Sequence, residues 1–217
     1  NEYHGTLGVA SSSRFGNSPF LTNMFILSKR SRLMQLIYNT IYAPKKADKA
    51  TDLNLTLMER LASGQQIPFG SDKYNRGIQQ FESNITKVVD LFSSQKIPVF
   101  IGSLVTNKRG IHPFVSNLSK GTNTAEWNQL FDAAKQALEK GDTLKAKESF
   151  NAASKIDSTF AECQFQLGEI TYSKGDFIAA KKYYTNAKEL DNLRFRAPEG
   201  FNDIIKKIPS GRQDIYI

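Results

Sequence analysis

Few residues in this chain have the types and spacing that chemistry needs. There are two histidines, His4 and His112, and one cysteine, Cys163. Ser103 sits in Ile101-Gly102-Ser103-Leu104, directly after an apolar run, and His112 follows a short way on. Brought together, Ser103 could attack a carbonyl carbon while His112 takes its proton. The plainer expectation is a buried strand end at Ser103 and a loop histidine at His112. Glu2 and His4 offer only two metal ligands at a chain terminus, fewer than a zinc site uses. No zinc spacing and no phosphate-binding glycine loop occurs in the sequence. A single thiol excludes an internal disulfide and a cysteine-rich metal centre. No cofactor is expected.

The net charge is +8. Residues 1–50 carry Arg14, Lys29, Arg30, Arg32, Lys45, Lys46 and Lys49 against Glu2 and Asp48. Such a balance suits an acidic partner or an anionic membrane face. No nucleic-acid motif accompanies it, so nucleic acid is not an expected partner and a solvated basic surface is the ordinary reading. Residues 20–42 are apolar at helical spacing, interrupted by Lys29, Arg30 and Arg32. A core-packed helix pair is expected there, with weak contact to a membrane surface as the alternative. No run of about 18 apolar residues exists, so no membrane-spanning helix is expected. The chain opens at Asn1 with neither signal peptide nor initiator Met, so a preceding stretch is expected to have been removed.

The elements that must position these residues follow from patterning. Residues 5–17 read as a Gly/Ser-rich loop, 43–50 as a lysine-rich linker, and Asp52–Ala62 as a short helix. In residues 73–95, Tyr74, Ile78, Phe81, Ile85, Val88 and Phe92 alternate steps of four and three and predict a helix with one apolar stripe. Ile97-Pro98-Val99-Phe100-Ile101 then predicts a short buried strand continuing toward Leu104-Val105. Helix, turn and strand make an α/β unit. The sequence offers too few further strands to complete its layer.

The second half repeats itself at a shift of thirty-four positions. Gly141-Asp142 recurs as Gly175-Asp176 and Ala146-Lys147 as Ala180-Lys181. Phe150 maps to Tyr184, Ala153 to Ala187 and Asp157 to Asp191. Each unit predicts two antiparallel helices with small residues where they approach closely. Gly-Asp makes the turn: glycine suits a left-handed helix end and aspartate the next N-cap. With Leu167, Gly168, Ala180, Tyr184 and Ala187 on its pattern, this segment resembles the tetratricopeptide repeat. It departs at Gln164, where the usual large aromatic is missing, and at Ser158 and Asn192, where a closing proline is usual. The resemblance implies a concave groove that binds peptides, or a module that braces its own chain. A helix around Pro198–Lys207, with Phe201, Ile204 and Ile205, is expected to cap one end.

The opening Asn1-Glu2-Tyr3-His4-Gly5 resembles the end of the third sequence block of SGNH (GDSL-type) hydrolases, in a bacterial sub-family carrying a repeat insertion. Gln66-Ile67-Pro68 agrees in order, as do Tyr74 with Gly77, Phe81 and Asn84, then Ile97-Pro98-Val99, and Leu104-Val105-Thr106-Asn107 before Pro113-Phe114. Leu193-Arg194-Phe195-Arg196-Ala197-Pro198 follows the repeats. The resemblance implies a parent protein that cleaves esters and a periplasmic or membrane-associated setting. It also implies that Asn1 donates to an oxyanion. Only Asn1 carries over as a catalytic position. The Ser block is expected before Asn1 and the Asp-x-x-His block after Ile217. Around Ser103 the Asp between Gly and Ser is absent, and Arg109 stands where an Asp should precede His112.

The expected architecture is therefore an incomplete SGNH-like α/β region over 1–120, two tetratricopeptide hairpins over 121–192, and a capping helix with a return segment over 193–217, mostly helical overall. The expected function is that of a catalytically incomplete part of an SGNH-type esterase whose repeats interact or brace. A non-enzymatic interaction scaffold is the alternative.

Overall fold

The computed structural model describes residues 2–3, 8–9, 19–41 and 66–217. The linker 43–50, the helix expected at Asp52–Ala62 and most of the loop 5–17 lie outside them. Among the described residues the chain is mostly helical, with eight helices and two short strands.

Two ten-residue helices, α1 (Pro19–Ser28) and α2 (Arg32–Ile41), come first. They are not the core-packed pair expected. Phe20, Met24, Leu27, Leu33 and Leu36 are all more than half exposed.

Helix α3 (Asp72–Ser94) starts at Ser71, whose hydroxyl accepts from the Tyr74 N–H. Its stripe differs from expectation in the last turns. Val89 is fully buried, whereas Val88 and Phe92 are 49% and 40% exposed. The covering elements lie along the line Ile78, Ile85, Val89, and Val88 points about a quarter-turn away. The following strand β1 (Val99–Phe100) pairs in parallel with β2 (Ile215–Tyr216) at the far end of the chain, Val99 opposite Ile215. The expected buried strand is thus buried on one face only. Val99, Ile101 and Ile215 pack with Val89, while Phe100 and Tyr216 stack on the open face with ring centroids 4.9 Å apart. Alternation along a strand sends neighbours to opposite faces. Past the strand, Val105 is 93% exposed and Leu104 is held through its backbone by the Asn202 amide, which both donates and accepts.

Between the strands, the chain leaves to build four helices: α4 (Thr124–Glu139), α5 (Thr143–Ile156), α6 (Ala161–Ser173) and α7 (Phe177–Leu190). They pack as α4 on α5 and α6 on α7, with α5 against α6. The two hairpin turns are copies of each other. Gly141 and Gly175 adopt φ of +76° and +82°, a region closed to most side chains. The Gly141 N–H donates to the Leu138 carbonyl and the Asp142 N–H to that of Ala137, both at 2.9 Å. Gly175 and Asp176 bond in the same way to Tyr172 and Thr171. This is the paired-bond stop that satisfies orphan carbonyls at a helix end. Each Asp then caps the next helix, accepting from the Lys145 N–H or the Ala179 N–H, worth about 1 kcal/mol apiece. The expected close-approach residues Ala134, Ala146, Ala153, Gly168, Ala180 and Ala187 are buried, Ala133 is only partly so, and Phe150 and Tyr184 fill the adjoining gaps.

The final helix α8 (Glu199–Lys207) turns its apolar face to α3. Phe201 stacks on Phe81 with centroids 4.0 Å apart, and Ile204 joins Val89. Tyr3 enters the same core. Its ring lies between Tyr74 and Phe201, and its hydroxyl donates to the Tyr74 carbonyl at 3.0 Å. Gly77 makes room for it, since a Cβ there would fall 2.2 Å from Tyr3 Cε1.

Candidate functional site

One face of α6 carries Glu162, Phe165, Glu169 and Tyr172, at the three- and four-residue steps that align side chains along a helix. The segment between β1 and α4 lies on this face. Arg109 Nε donates to Glu169 Oε1 at 3.0 Å, and its guanidinium sits 3.7 Å from the centre of the Tyr172 ring. His112 rests on Phe165 with ring centroids 4.0 Å apart, and its Nδ1 is 3.7 Å from Glu162 Oε1. Ser116 Oγ accepts from the Glu162 N–H at 2.9 Å, satisfying a donor at the start of α6. Burial would raise the Glu169 carboxyl, but hydrogen bonds from Arg109 and Tyr184 hold it below its ordinary value.

The equivalent face of the first hairpin is open. Phe131, Lys135 and Leu138 stand thirty-four positions before Phe165, Glu169 and Tyr172. They line a cavity of about 350 Å³ with Glu139, Glu162 and Gln166. Phe131 is held by Trp127 and Phe160, with centroids 4.7 Å and 5.3 Å away. Two like faces therefore stand side by side, one covered by the chain itself and one uncovered.

A polar network ties the hairpins to α3 and α8. Lys188, almost fully buried, reaches Glu189 at 3.0 Å and Glu199 at 2.7 Å. Lys108 also reaches Glu199, at 2.6 Å. Burial works against the Glu199 carboxylate, yet bonds from Lys108 and Lys188 bring it down to about 2. Glu189 accepts from the Tyr74 hydroxyl, and the Arg194 guanidinium lies over the Tyr74 ring and donates to the Ile67 carbonyl. Burial lowers the pKa of Arg194 and raises that of Tyr74. The chain Glu189, Tyr74, Tyr3 thus runs from the hairpins to the segment beside Asn1.

Of the residues singled out first, only Glu2, Ser103, His112 and Cys163 are described. Asn1 and His4 lie outside the described residues. Glu2 accepts from the Asn84 amide at 3.3 Å. Ser103 is exposed, and no hydrogen bond joins it to His112 among the described residues. Arg109 does not stand in for an orienting carboxylate; it pairs with Glu169. Cys163 is buried, its thiol pushed up to about 12 by burial and by Glu162, so it is core and not a nucleophile. Among the described residues, no group of three or more His, Cys, Asp or Glu could hold a metal ion. Arg109, Glu162 and Glu169 were missed as site residues, because nothing local in the sequence marks a loop that folds back onto a helix.

The chain matches no family model, no curated protein and no solved structure. The site is therefore read from its geometry.

Proposed function

We propose that residues 121–192 are two tetratricopeptide-type units, inserted into an SGNH-hydrolase-like α/β region, that brace their own chain. The observation that carries the bracing role is the Arg109–Ser116 segment lying along Glu162, Phe165, Glu169 and Tyr172. In repeats of the kind this segment resembles, a face of that sort takes a peptide. Here an internal segment takes it, and the polar network from Glu189 to Tyr3 extends the brace toward Asn1. In this reading Asn1 donates to the oxyanion of an ester hydrolase. The 217 residues contain no nucleophile block to go with it, so the chain alone turns over no ester.

Hydrogen exchange on the intact chain tests the brace. The amides of Gly110, Phe114 and Val115, which donate to Asn107 and Asp191, should exchange slowly, and Arg109→Ala with His112→Ala should speed that of Gly110 at least tenfold. Free exchange in the unaltered chain would sink the brace. For the hydrolase part, assay of a generic acyl ester should give no turnover, and any turnover abolished by Ser103→Ala would overturn the Asn1 assignment. A coding sequence lacking both a Gly-Asp-Ser-like block upstream and an Asp-x-x-His block downstream would eliminate the hydrolase reading.

The open cavity beside Phe131, Lys135 and Leu138 favours a second reading, a non-enzymatic scaffold that holds a protein partner there. Its apolar Phe131 and Leu138, bordered by Lys135, Glu139 and Glu162, suit a short peptide with an apolar residue flanked by polar or basic ones.

A further inference from the structure

We infer that α1 and α2 form an interfacial anchor for an anionic lipid surface. Four exposed apolar side chains of α2 (Leu33, Met34, Leu36 and Ile37) fall on one side of the helix, and exposed Arg32 and Gln35 fall on the other. That is the division of a helix lying at an apolar–aqueous boundary. Helix α1, Pro-Phe-Leu-Thr-Asn-Met-Phe-Ile-Leu-Ser, has no charged residue, and Phe20, Met24, Ile26 and Leu27 are exposed. Ten residues of helix run about 15 Å, half of a hydrocarbon core about 30 Å thick. Neither helix can cross, and no described helix is long and apolar enough to do so. Both are suited to lie in the interface.

Charge decides between a lipid surface and a protein face. Residues 19–41 contain no Asp or Glu, and Lys29, Arg30 and Arg32 cluster at the joint between the helices. Arg30 and Arg32 make no ion pair among the described residues. A joint where Arg30 and Arg32 stand beside two apolar helices matches a bilayer with anionic headgroups over acyl chains. The competing occupant is the open sheet face, where Phe100 and Tyr216 stack.

The test is flotation of the intact chain with vesicles of phosphatidylcholine alone, or with about a quarter phosphatidylglycerol. Binding should require the anionic lipid and fall at least tenfold between about 0.05 M and about 0.5 M salt. Arg30→Glu with Arg32→Glu should abolish the anionic preference, and Leu33→Asp with Leu36→Asp should abolish binding. Fluorescence of the single Trp127, in the hairpin core, checks that each variant is folded. Equal binding to both vesicles, or none at low salt, would overturn the anchor. Slow exchange of residues 19–41 without vesicles would overturn it in favour of packing on protein.

Discussion

Asp157 and Asp191, thirty-four positions apart, each end the second helix of a hairpin and each grip the same incoming segment. Asp191 accepts from the Phe114 N–H at 3.0 Å and the Val115 N–H at 3.1 Å. Asp157 accepts from the Ser119 N–H at 2.6 Å and from the Thr122 hydroxyl. Each also accepts from the N–H two residues on, Leu193 or Thr159. One repeated residue thus makes one repeated turn, and its spare lone pairs fasten successive parts of residues 114–122. This is the covalent lead-in to the helix pair, so the hairpins are clamped to the chain that feeds them.

Replacing either carboxylate should loosen this segment before it unfolds the helices. Asp157→Asn keeps the shape, loses the charge-assisted bonds and should cost about 1–3 kcal/mol. Hydrogen exchange should speed at Ser119 and its neighbours, while amides in the middle of α6 keep their protection. Asp191→Asn should do the same at Phe114 and Val115, and should also leave Arg196, 2.9 Å from the carboxylate, without its ion partner. Unchanged exchange in both variants would show that the segment is held by something else.

Acid should release the clamp. Burial by itself would raise the Asp157 carboxyl, but bonds from Thr122, Thr159 and Ser119 outweigh it and bring it from 3.8 down to about 2. A carboxyl lowered on folding stabilises the protein above its ordinary value, and that stabilisation disappears as pH falls through the folded value. The contribution is about 2 kcal/mol, lost between about pH 4 and pH 2. Glu199, brought down by Lys108 and Lys188, adds loss of the same sign in the same window. The midpoint of thermal unfolding should therefore drop steeply below about pH 4, and Asp157→Asn should flatten that drop without abolishing it. An unchanged slope in Asp157→Asn would mean that Asp157 does not carry the acid sensitivity.

The turns were legible in the sequence because their cause is local. Gly141-Asp142 needs only its own backbone to stop one helix and start the next, and the copy at Gly175-Asp176 repeats the signal. The clamp was half legible. The recurrence of Asp157 as Asp191 stood out, but their partners lie in residues 114–122, where no periodicity marks them. The strand β2 was invisible because two residues, Ile215 and Tyr216, carry no alternation to detect. The exposure of Val88 beside buried Val89 was set by where α8 and the strands press on α3, which a stripe drawn on one helix does not contain. Arg109 looked like a misfit next to His112; its partner Glu169 is sixty positions away.

Close approach of α6 and α7 should make Gly168 intolerant of a side chain. Alanine is better than glycine in a helix by about 1 kcal/mol, so Gly168→Ala would stabilise an uncrowded site. Here a Cβ would stand 2.7 Å from Tyr184 Cε1 and 3.3 Å from the Tyr183 Cβ. The Tyr184 ring cannot swing away easily, because its hydroxyl donates to Glu169 at 2.6 Å. Overpacking of this kind costs about 1–3 kcal/mol. Net destabilisation is the expected result in chemical denaturation, and adding Tyr184→Leu should recover part of it. A stabilised Gly168→Ala protein would show that the helices are farther apart than described.

Clearing the covered face of α6 should turn it into a second binding surface without unfolding the hairpins. The pair Arg109–Glu169 is half-exposed, so its loss costs little stability. His112 contributes mainly the area of its ring on Phe165. Arg109→Ala with His112→Ala should thus shift the unfolding midpoint by only a few degrees. The same change uncovers Phe165, Glu169 and Tyr172 beside the already open Phe131, Lys135 and Leu138. A synthetic peptide copying residues 107–118 should then bind the variant and not the unaltered chain, since an internal segment at high effective concentration excludes it. The natural segment competes even when weakened, so binding should tighten further when Ser116→Ala removes the remaining contact to the Glu162 N–H. Equal binding to variant and unaltered chain would place the peptide on the first hairpin instead, and failure of the triple variant to bind at all would show that this face has no intrinsic affinity for its own segment.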